Sequence, residues 1–389
     1  MAVLLIGTLD TKGEELAFLR SRLRQAGVEV LLADVGTGGP PTVKPDIARQ
    51  EISAHDAGDR GAAVRAMADG AAKLAKRLHA AGAIEGVLGA GGSGNTAIAT
   101  AAMRALPVGV PKLMVSTMSA GDTRDYVGGT DVTLMASVTD VAGLNSISAQ
   151  ILANAAGAMA GMVGAPPIPA HGTKSLIGAT MFGVTTPCVD HARRRLEAGG
   201  HEVLVFHATG TGGRAMEALV ESGFLAGVLD VTTTELADDL VGGVLTAGPD
   251  RLLAAGRAGI AQVVSPGALD MVNFGARATV PPQFEQRTLC EHNPSVTLMR
   301  TTPEECAELG ARIARKLSTA TGPTTLFLPL RGLSLLDSPG QPFHDPEADA
   351  ALFEALRTVD GDVEVIEMDC SINDPAFAEA MADKLDALL

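Results

Sequence analysis

Short apolar runs alternate with longer segments of helical periodicity along most of the chain. The first run, Val3 to Thr8, precedes a segment from Glu14 to Ala26 in which leucines recur at helical spacing before Gly27 ends the helix. Strands that alternate with amphipathic helices in this way are typical of mostly parallel sheets. The pattern therefore predicts an α/β protein.

The same pattern predicts the other elements of the first half of the chain. Strands are expected at 29–35, 86–89, 112–117 and 131–137, and helices at 60–82, up to Leu106 and at 144–163. Residues 40–59 are rich in Pro, Asp and His without a clear period, and predict a long loop of the kind that is often functional or mobile. Small and polar residues within 144–163 favour a helix packed inside the protein over a membrane span.

The opening pattern occurs twice. Strands at 3–8 and 29–35 lead to Gly36-Thr37-Gly38-Gly39, and strands at 176–180 and 202–207 lead to Gly210-Thr211-Gly212-Gly213. Any two β-α-β units share a hydrophobic pattern, so the identical turns are the main indication of a repeat. We predict two Rossmann-like lobes with mostly parallel sheets, related by internal duplication, with a ligand cleft between them.

The length of the chain also favours two domains, because 389 residues exceed one ordinary core. The Pro-rich segment 164–173 is the predicted linker, between an N-terminal lobe at 1–165 and a C-terminal lobe at 174–389. Whether the tail completes the second lobe or returns to the first stays open. Further strands are expected at 227–230, 262–265, 324–329 and 363–367, and helices from Pro346 and up to Leu389.

Composition excludes several classes of function. A net charge of −15 and the absence of Trp, with Tyr126 as the single Tyr, argue against nucleic-acid binding through a basic or aromatic surface. The first residues form a strand without a basic leader, so no signal peptide is expected. The four cysteines are far apart and form no CxxC pair. A cytoplasmic protein without membrane contact or a structural zinc site is expected.

A glycine-rich segment after the third predicted strand is the strongest local signal. Glycines between a buried strand and a helix let the backbone approach a ligand, and the free amides of the helix start favour an anion. The segment is neither a Walker A motif, because no Lys follows the glycines, nor a GxGxxG motif. It predicts a phosphate or carboxylate site, with a tight packing turn as the alternative. The candidate residues are Gly91, Gly92, Ser93, Gly94, Asn95 and Thr96.

Two further segments follow the first and second predicted strands, at the edge where parallel sheets bind ligands. Thr11 can donate a hydrogen bond, Lys12 can neutralise a phosphate, and Asp10 can hold a hydrated magnesium ion. Asp34 lies where an acidic residue often contacts ribose hydroxyls, and Gly36 follows it. A capped helix start and a solvated turn are the alternatives.

The segment after the fourth predicted strand is rich in hydroxyls and can form a pocket edge. Arg124 can pair with a phosphate or carboxylate, or with its neighbours Asp122 and Asp125. The candidate ligand contacts here are Thr117, Met118, Ser119, Arg124, Gly129 and Thr130.

The second half of the chain offers weaker candidates for catalysis. Cys188 follows Pro187 at a predicted helix start, where free amides lower a thiol pKa, and His191 is one helical turn away. Asp270 follows a predicted strand, and His344 lies in a long irregular loop. An accidental Cys–His spacing and a solvated His are the alternatives.

Four passages resemble, in one order, the ATP-binding family typified by the N-terminal domain of a plant tomato mosaic virus resistance protein, which includes uncharacterised stand-alone bacterial proteins. The resemblance covers essentially the whole chain. It implies two α/β subdomains and a nucleotide site in the first, with ATP and Mg²⁺ as cofactors. Family members often carry, or are encoded beside, a barrel domain, so a separate barrel-domain protein is an expected partner. The passages are Gly7 to Gly13, Gly89 to Thr96, Ser116 to Thr130 and Arg331 to Asp345.

Three functional hypotheses follow. The first is a two-lobe ATP-binding protein, with phosphoryl transfer or hydrolysis if it is an enzyme. The second is an enzyme that acts on a small carboxylated or sugar-like metabolite in the cleft, using Cys188, His191, Asp270 or His344. The third is a non-catalytic ligand sensor that acts through a partner. The Ala- and Gly-rich helix at 144–162 makes a homo-oligomer an additional expectation.

Overall fold

A computed structural model describes residues 2–53, 59–166 and 174–389. The chain divides into two compact units, Met1–Pro169 and Ala170–Leu389. Most of the linker predicted at 164–173 lies outside the described residues. Each unit is an α/β assembly around its own largely parallel sheet, as the alternating pattern predicts.

The first unit has five strands and six helices in its described residues. Largely apolar strands, of which β5 at the sheet edge is not buried, alternate with long helices that begin and end close to the predicted positions. The strands are β1 (Ala2–Gly7), β2 (Glu29–Asp34), β3 (Ile84–Gly91), β4 (Lys112–Ser116) and β5 (Thr133–Ala136). The helices are α1 (Gly13–Gln25), α2 (Arg49–Ile52), α3 (Arg60–Ala80), α4 (Ser93–Arg104), α5 (Arg124–Val127) and α6 (Ser146–Gly164).

All strand pairs in the first sheet are parallel, in the order β2-β1-β3-β4-β5. The chain therefore adds β2 on one side of β1 and then crosses over to add β3 on the other side. In open parallel sheets, ligands bind outside the carboxyl ends of the strands at such a reversal of strand order. The sheet topology thus points to the ends of β1 and β3.

The central strand explains why helices cover both faces of this sheet. Alternate residues of β1 point to opposite faces, and all of them are buried. Val3 and Leu5 pack with α1 and α6, whereas Leu4 and Ile6 pack with α3 and α4. The two layers hold the loops at the carboxyl edge between them.

Helix α6 is long and apolar enough to cross a membrane by length and composition alone. Its buried residues include Leu152, Ala155 and Met159, which pack in the cluster that also contains Leu5 of β1 and Leu19 of α1. One face of α6 therefore forms part of the helical layer on the first sheet, as the small residues of this segment predict.

The second unit contains nine strands and seven α-helices in its described residues. The strands are β6 (Leu176–Met181), β7 (Glu202–His207), β8 (Gly227–Thr232), β9 (Ala261–Gly267), β10 (Met271–Phe274), β11 (Leu289–Asn293), β12 (Val296–Arg300), β13 (Thr324–Pro329) and β14 (Val363–Met368). The helices are α7 (Thr186–Ala198), α8 (Thr211–Glu221), α9 (Glu235–Val241), α10 (Ala254–Ala258), α11 (Pro303–Leu317), α12 (Pro346–Leu356) and α13 (Pro375–Leu388).

The main sheet of the second unit is parallel, with the order β14-β13-β9-β8-β6-β7. Its first four strands in sequence therefore repeat the arrangement of the first sheet. The tail joins this sheet, because β14 pairs with β13 from Thr324–Val363 to Pro329–Met368. This pairing resolves the position that the sequence left open.

In the sequence, a three-stranded antiparallel sheet with the order β10-β12-β11 is inserted between β9 and β13, which are neighbours in the main sheet. The sequence pattern does not predict it, because β10 is short and completely buried and therefore shows no alternation. Helix α11 follows it, and Thr302 caps this helix by accepting from the Glu305 amide.

Candidate functional site

A cavity of about 550 Å³ opens at the carboxyl ends of β1 and β3. It is lined by residues from four segments, 8–12, 37–38, 60–64 and 92–98. Its position is the reversal of strand order described above, and its volume lies in the range of small-molecule sites. The loops after β1, β2 and β3 and the start of α3 therefore surround one candidate site.

The start of α4 forms one wall of this cavity. Gly92 is the N-cap of the helix and provides no side-chain cap. Among the described residues, the first-turn amides of Ser93, Gly94 and Asn95 have no acceptor, and the first amide that does is that of Thr96, which donates to the Gly92 carbonyl at 2.9 Å. Uncapped amides at the start of a helix of this length attract an anion.

Two candidate side chains of this loop make internal hydrogen bonds that shape it. The amide nitrogen of Asn95 donates to the Ala90 carbonyl at 2.8 Å. The Thr96 hydroxyl donates to the Gly92 carbonyl at 2.9 Å and lies 2.7 Å from the hydroxyl of Ser116 on β4. These bonds hold the glycines in place, and a side chain at Gly94 would meet only open space.

Two cations line the same cavity, Lys12 before α1 and Arg60 at the start of α3. Within the described ranges, neither has a hydrogen-bond or ion-pair partner. Helix α1 also begins without a side-chain cap. Lys12 and Arg60 outnumber Asp10, which is the one carboxylate among the described lining residues, and with the two helix starts they favour an anion in this cavity.

Asp34 lies outside the cavity lining, at the end of β2, and is almost completely buried. Its carboxylate accepts from the amides of Leu9 at 3.2 Å and Gly36 at 2.9 Å, and from Arg49 Nε at 2.7 Å. Asp34 therefore joins the loops after β1 and β2. Asp34 therefore has no free oxygen with which to make the predicted ribose contact.

Asp10 lines the cavity. Oδ2 accepts from the Gly38 amide at 2.8 Å, whereas Oδ1 is shielded from solvent and has no hydrogen-bond partner in the described residues. In the described part of the chain, no group of three His, Cys, Asp or Glu residues is suited to hold a metal. Asp10 therefore offers a magnesium ion at most one carboxylate oxygen, Oδ1.

A second cavity, of about 300 Å³, lies at the ends of β4 and β5. Thr117 and Ser119 line it, and Met118 between them is partly exposed. The predicted contact Arg124 is instead exposed and paired with Asp122 at 2.5 Å. Gly129 and Thr130 line neither cavity.

The thiol expected at the start of α7 does not have the predicted character. Cys188 is completely buried, and this burial raises its pKa to about 12. The low pKa predicted from its position at the helix start is wrong, because the loss of hydration outweighs the helix amides. His191 lies farther along the same helix and is half-buried.

Asp270 belongs to a buried acidic cluster in the second unit, and His344 is an exposed residue close to Asp337 of that cluster. The Ser334 hydroxyl donates to Asp270 Oδ2 at 2.7 Å, and His344 Nδ1 lies 4.0 Å from Asp337 Oδ1. Burial and the neighbouring Asp337 carboxylate raise the pKa of Asp270. Asp337 lies near both predicted residues, and His344 is exposed, as the alternative of a solvated His predicts.

The sequence pattern does not identify several of the residues that line the two cavities. Arg60 is predicted only as a helix start, although it directly follows the long loop that the sequence marks as functional. Ser137 and Asp140 follow β5 and line the second cavity. The strand-end rule that identifies Asp34 and Thr117 would have identified them if it had been applied to the fifth strand.

The two units match the two domains of one family. Residues 1–167 match the N-terminal domain of an uncharacterised protein family, UPF0261, and residues 174–389 match its C-terminal domain. The chain belongs to the UPF0261 family. This family includes both bacterial and plant proteins, as the resemblance in the four sequence passages predicts.

A UPF0261 protein of Clostridium tetani is 51% identical over 394 residues, which cover 98% of each chain. The tomato protein named ToMV resistance protein Tm-1(GCR237), from Solanum lycopersicum, is 41% identical over 413 residues. That alignment covers 98% of this UPF0261 chain and 55% of the tomato protein. Among solved structures, MurG of Acinetobacter baumannii aligns over both full chains at 12% identity with a TM-score of 0.25, which is too low to support a conclusion.

Proposed function

We propose that the first unit binds ATP, with the triphosphate in the cavity at the ends of β1 and β3. The observation that supports this proposal is that the uncapped start of α4 lines the same cavity as Lys12 and Arg60, two cations without a partner among the described residues. Amides at a helix start and charged side chains are the usual donors to phosphate oxygens. A localised cationic cavity in a chain of net charge −15 fits a small polyanion and not nucleic acid.

The choice of ATP among anions rests on size and on the family resemblance. A cavity of about 550 Å³ exceeds the needs of a single phosphate or carboxylate. The resemblance in the sequence implies a nucleotide in this unit. Magnesium would then arrive with the triphosphate, held mainly by phosphate oxygens and water, because among the described residues of the lining only the shielded Oδ1 of Asp10 is a carboxylate oxygen without a partner.

In this proposal each segment has a separate task. The amides of Ser93 to Asn95 bind phosphate oxygens, and Lys12 and Arg60 neutralise the remaining charge. Asp34 and Asn95 hold the loops in register. A cytoplasmic location agrees with the four free thiols, and ATP turnover, the barrel-domain partner and self-association stay predictions.

Titration calorimetry with ATP and magnesium tests the proposal. Lys12→Ala should weaken ATP binding about tenfold or more, the usual loss for a charge-assisted hydrogen bond. Gly94→Ala should also weaken it, because the added methyl group occupies open space over the helix amides. In the same variant the free energy of unfolding should rise by up to about 1 kcal/mol, since Ala replaces Gly within a helix.

Lys76→Ala is the matched control, because this lysine is exposed on α3 and lies outside the cavity lining. It should bind ATP like the wild type. The proposal fails if the wild-type protein binds neither ATP nor tripolyphosphate, or if both cavity variants retain wild-type affinity.

A further inference from the structure

The loop after β5 contains a strained turn at the mouth of the second cavity. The Thr139 amide donates to the Ser137 carbonyl at 2.7 Å, which closes a γ-turn around Val138. Val138 has a φ of 63° and is 80% exposed. Positive φ is unfavourable for a β-branched residue, and this form of the γ-turn is rare. Such strain clusters at ligand sites, where the surrounding structure maintains it.

The turn directs free polar groups into the cavity of about 300 Å³. The hydroxyls of Ser116 and Ser137 are already used, within 2.7 Å of Thr96 Oγ1 and the Thr139 carbonyl, respectively. The Thr139 hydroxyl is buried without a partner. The Asp140 carboxylate has no partner within the part of the chain that the structure describes.

The chemistry of this lining differs from that of the first cavity. No Lys or Arg is among the described residues that line it, and its polar side chains carry hydroxyls and one carboxylate. A carboxylate acceptor beside neutral hydroxyls suits a ligand that donates several hydrogen bonds. A vicinal diol of a sugar has this property, whereas a phosphate does not.

The second cavity is adjacent to the proposed phosphate site. The Thr117 amide approaches the Gly91 carbonyl at 3.4 Å, and the Thr117 hydroxyl is 3.8 Å from the position of a Cβ on Gly92. Strands β3, β4 and β5 are neighbours, so the ends of β3 and β5 are about 10 Å apart, two strand spacings. A group joined directly to a phosphate at α4 can therefore reach Asp140.

We propose that the cavity at the ends of β4 and β5 binds the sugar of the nucleotide, and that Asp140 accepts hydrogen bonds from its vicinal hydroxyls. This inference rests on the proposed ATP site. It assigns to Asp140 the contact that the sequence pattern assigns to Asp34, whose oxygens are occupied by Leu9, Gly36 and Arg49. Val138 then provides an exposed apolar side chain beside the sugar.

Calorimetry with three ligands tests the contact: ATP, 2′,3′-dideoxy-ATP and tripolyphosphate. Asp140→Ala should weaken ATP binding about tenfold, because it removes a charged acceptor from the sugar hydroxyls. The same variant should bind dideoxy-ATP and tripolyphosphate as the wild type does. Glu85→Ala, which removes a carboxylate at the amino end of β3, is the matched control and should leave all three affinities unchanged.

Asp140 is exposed, so its substitution should leave the thermal unfolding midpoint of the protein unchanged. If ATP binds and Asp140→Ala alters the affinities for ATP and dideoxy-ATP equally, the sugar contact is refuted while the phosphate site stands. If the wild type binds neither ATP nor tripolyphosphate, the phosphate site is refuted and the sugar contact with it.

Discussion

The backbone amide of Gly38 donates to Asp10 Oδ2 at 2.8 Å. This bond joins the loop after β1 to the loop after β2, and both loops line the candidate nucleotide site. Gly36 is required beside it, because a Cβ there would lie 2.7 Å from both Asp10 Oδ1 and the Arg49 guanidinium. Asp10 is therefore a positioning residue for one edge of the cavity.

Two substitutions distinguish this role from magnesium binding. Asp10→Ala should lower the free energy of unfolding by about 1–3 kcal/mol, because the Gly38 amide loses its acceptor. It should also weaken ATP binding by disturbing the edge at Thr37 and Gly38. Asp10→Asn should preserve both properties, since its amide oxygen can still accept from Gly38. Urea unfolding and calorimetry measure the two effects.

The ATP affinities of the two variants should therefore differ when ATP is titrated with and without magnesium. A positioning role predicts that Asp10→Asn keeps the wild-type dependence on magnesium. If Asp10→Asn instead abolishes that dependence while folding normally, Asp10 is a metal ligand and the positioning role is incorrect.

The repeated Gly-Thr-Gly-Gly turn shows how far sequence identity predicts local structure. In both units the turn follows the second strand of that unit. A backbone amide of the turn donates to a side-chain carboxylate of the same unit, Asp10 in the first and Glu235 in the second. In the second unit, Glu235 Oε1 accepts from Gly210 at 2.6 Å and Gly213 at 3.1 Å, and the turn begins helix α8. In the first unit, Pro40 and Pro41 follow the turn, and no helix begins there.

In the second unit, the Glu235 carboxylate belongs to a buried ion network around Arg251, whose side chain is fully buried. The Arg251 guanidinium lies 2.5 Å from Asp230, 2.6 Å from Glu235 and 3.4 Å from Glu217. Arg251→Met should lower the free energy of unfolding by about 3–5 kcal/mol, because it leaves three carboxylates without their cation. Urea unfolding of the purified variant measures the loss.

Arg257→Met provides the comparison, because Arg257 is exposed and its ion pair with Asp250 is open to water. Its cost should be at most about 1 kcal/mol. Equal losses for the two variants would show that the buried network contributes no more than an ordinary surface pair.

The strands, the main helices and the edge that carries the site follow from hydrophobic period and strand order. Strand ends and glycine-rich turns are local signals, and the residues that they indicate, Lys12 and Gly92 to Asn95, line one cavity in the structure. The sequence pattern does not reveal that both oxygens of Asp34 accept hydrogen bonds or that Cys188 is buried, since both outcomes depend on segments distant in sequence. Such contacts decide whether a polar residue serves a ligand or the fold.

The buried acidic cluster of the second unit illustrates the same dependence on distant segments. Asp349 Oδ1 accepts from Arg300 at 2.7 Å. Asp337 Oδ1 is buried without a hydrogen-bond partner in the described residues. Burial and the adjacent Asp337 carboxylate raise the pKa of Asp349, and burial raises that of Asp238 on α9 to about 7.

These raised pKa values predict that the protein becomes less stable from about pH 4 to pH 8. In this window the folded state holds protons that the unfolded chain has released, so the free energy of unfolding falls by about 1.4 kcal/mol per pH unit for each such proton. Asp349→Asn should flatten the decline, because its amide oxygen can still accept from Arg300 while the side chain no longer titrates. Urea unfolding at several pH values measures the slopes. Asp362→Asn, at an exposed position, should retain the wild-type slope, and an equally steep decline in Asp349→Asn would show that this carboxyl is not protonated in the folded protein.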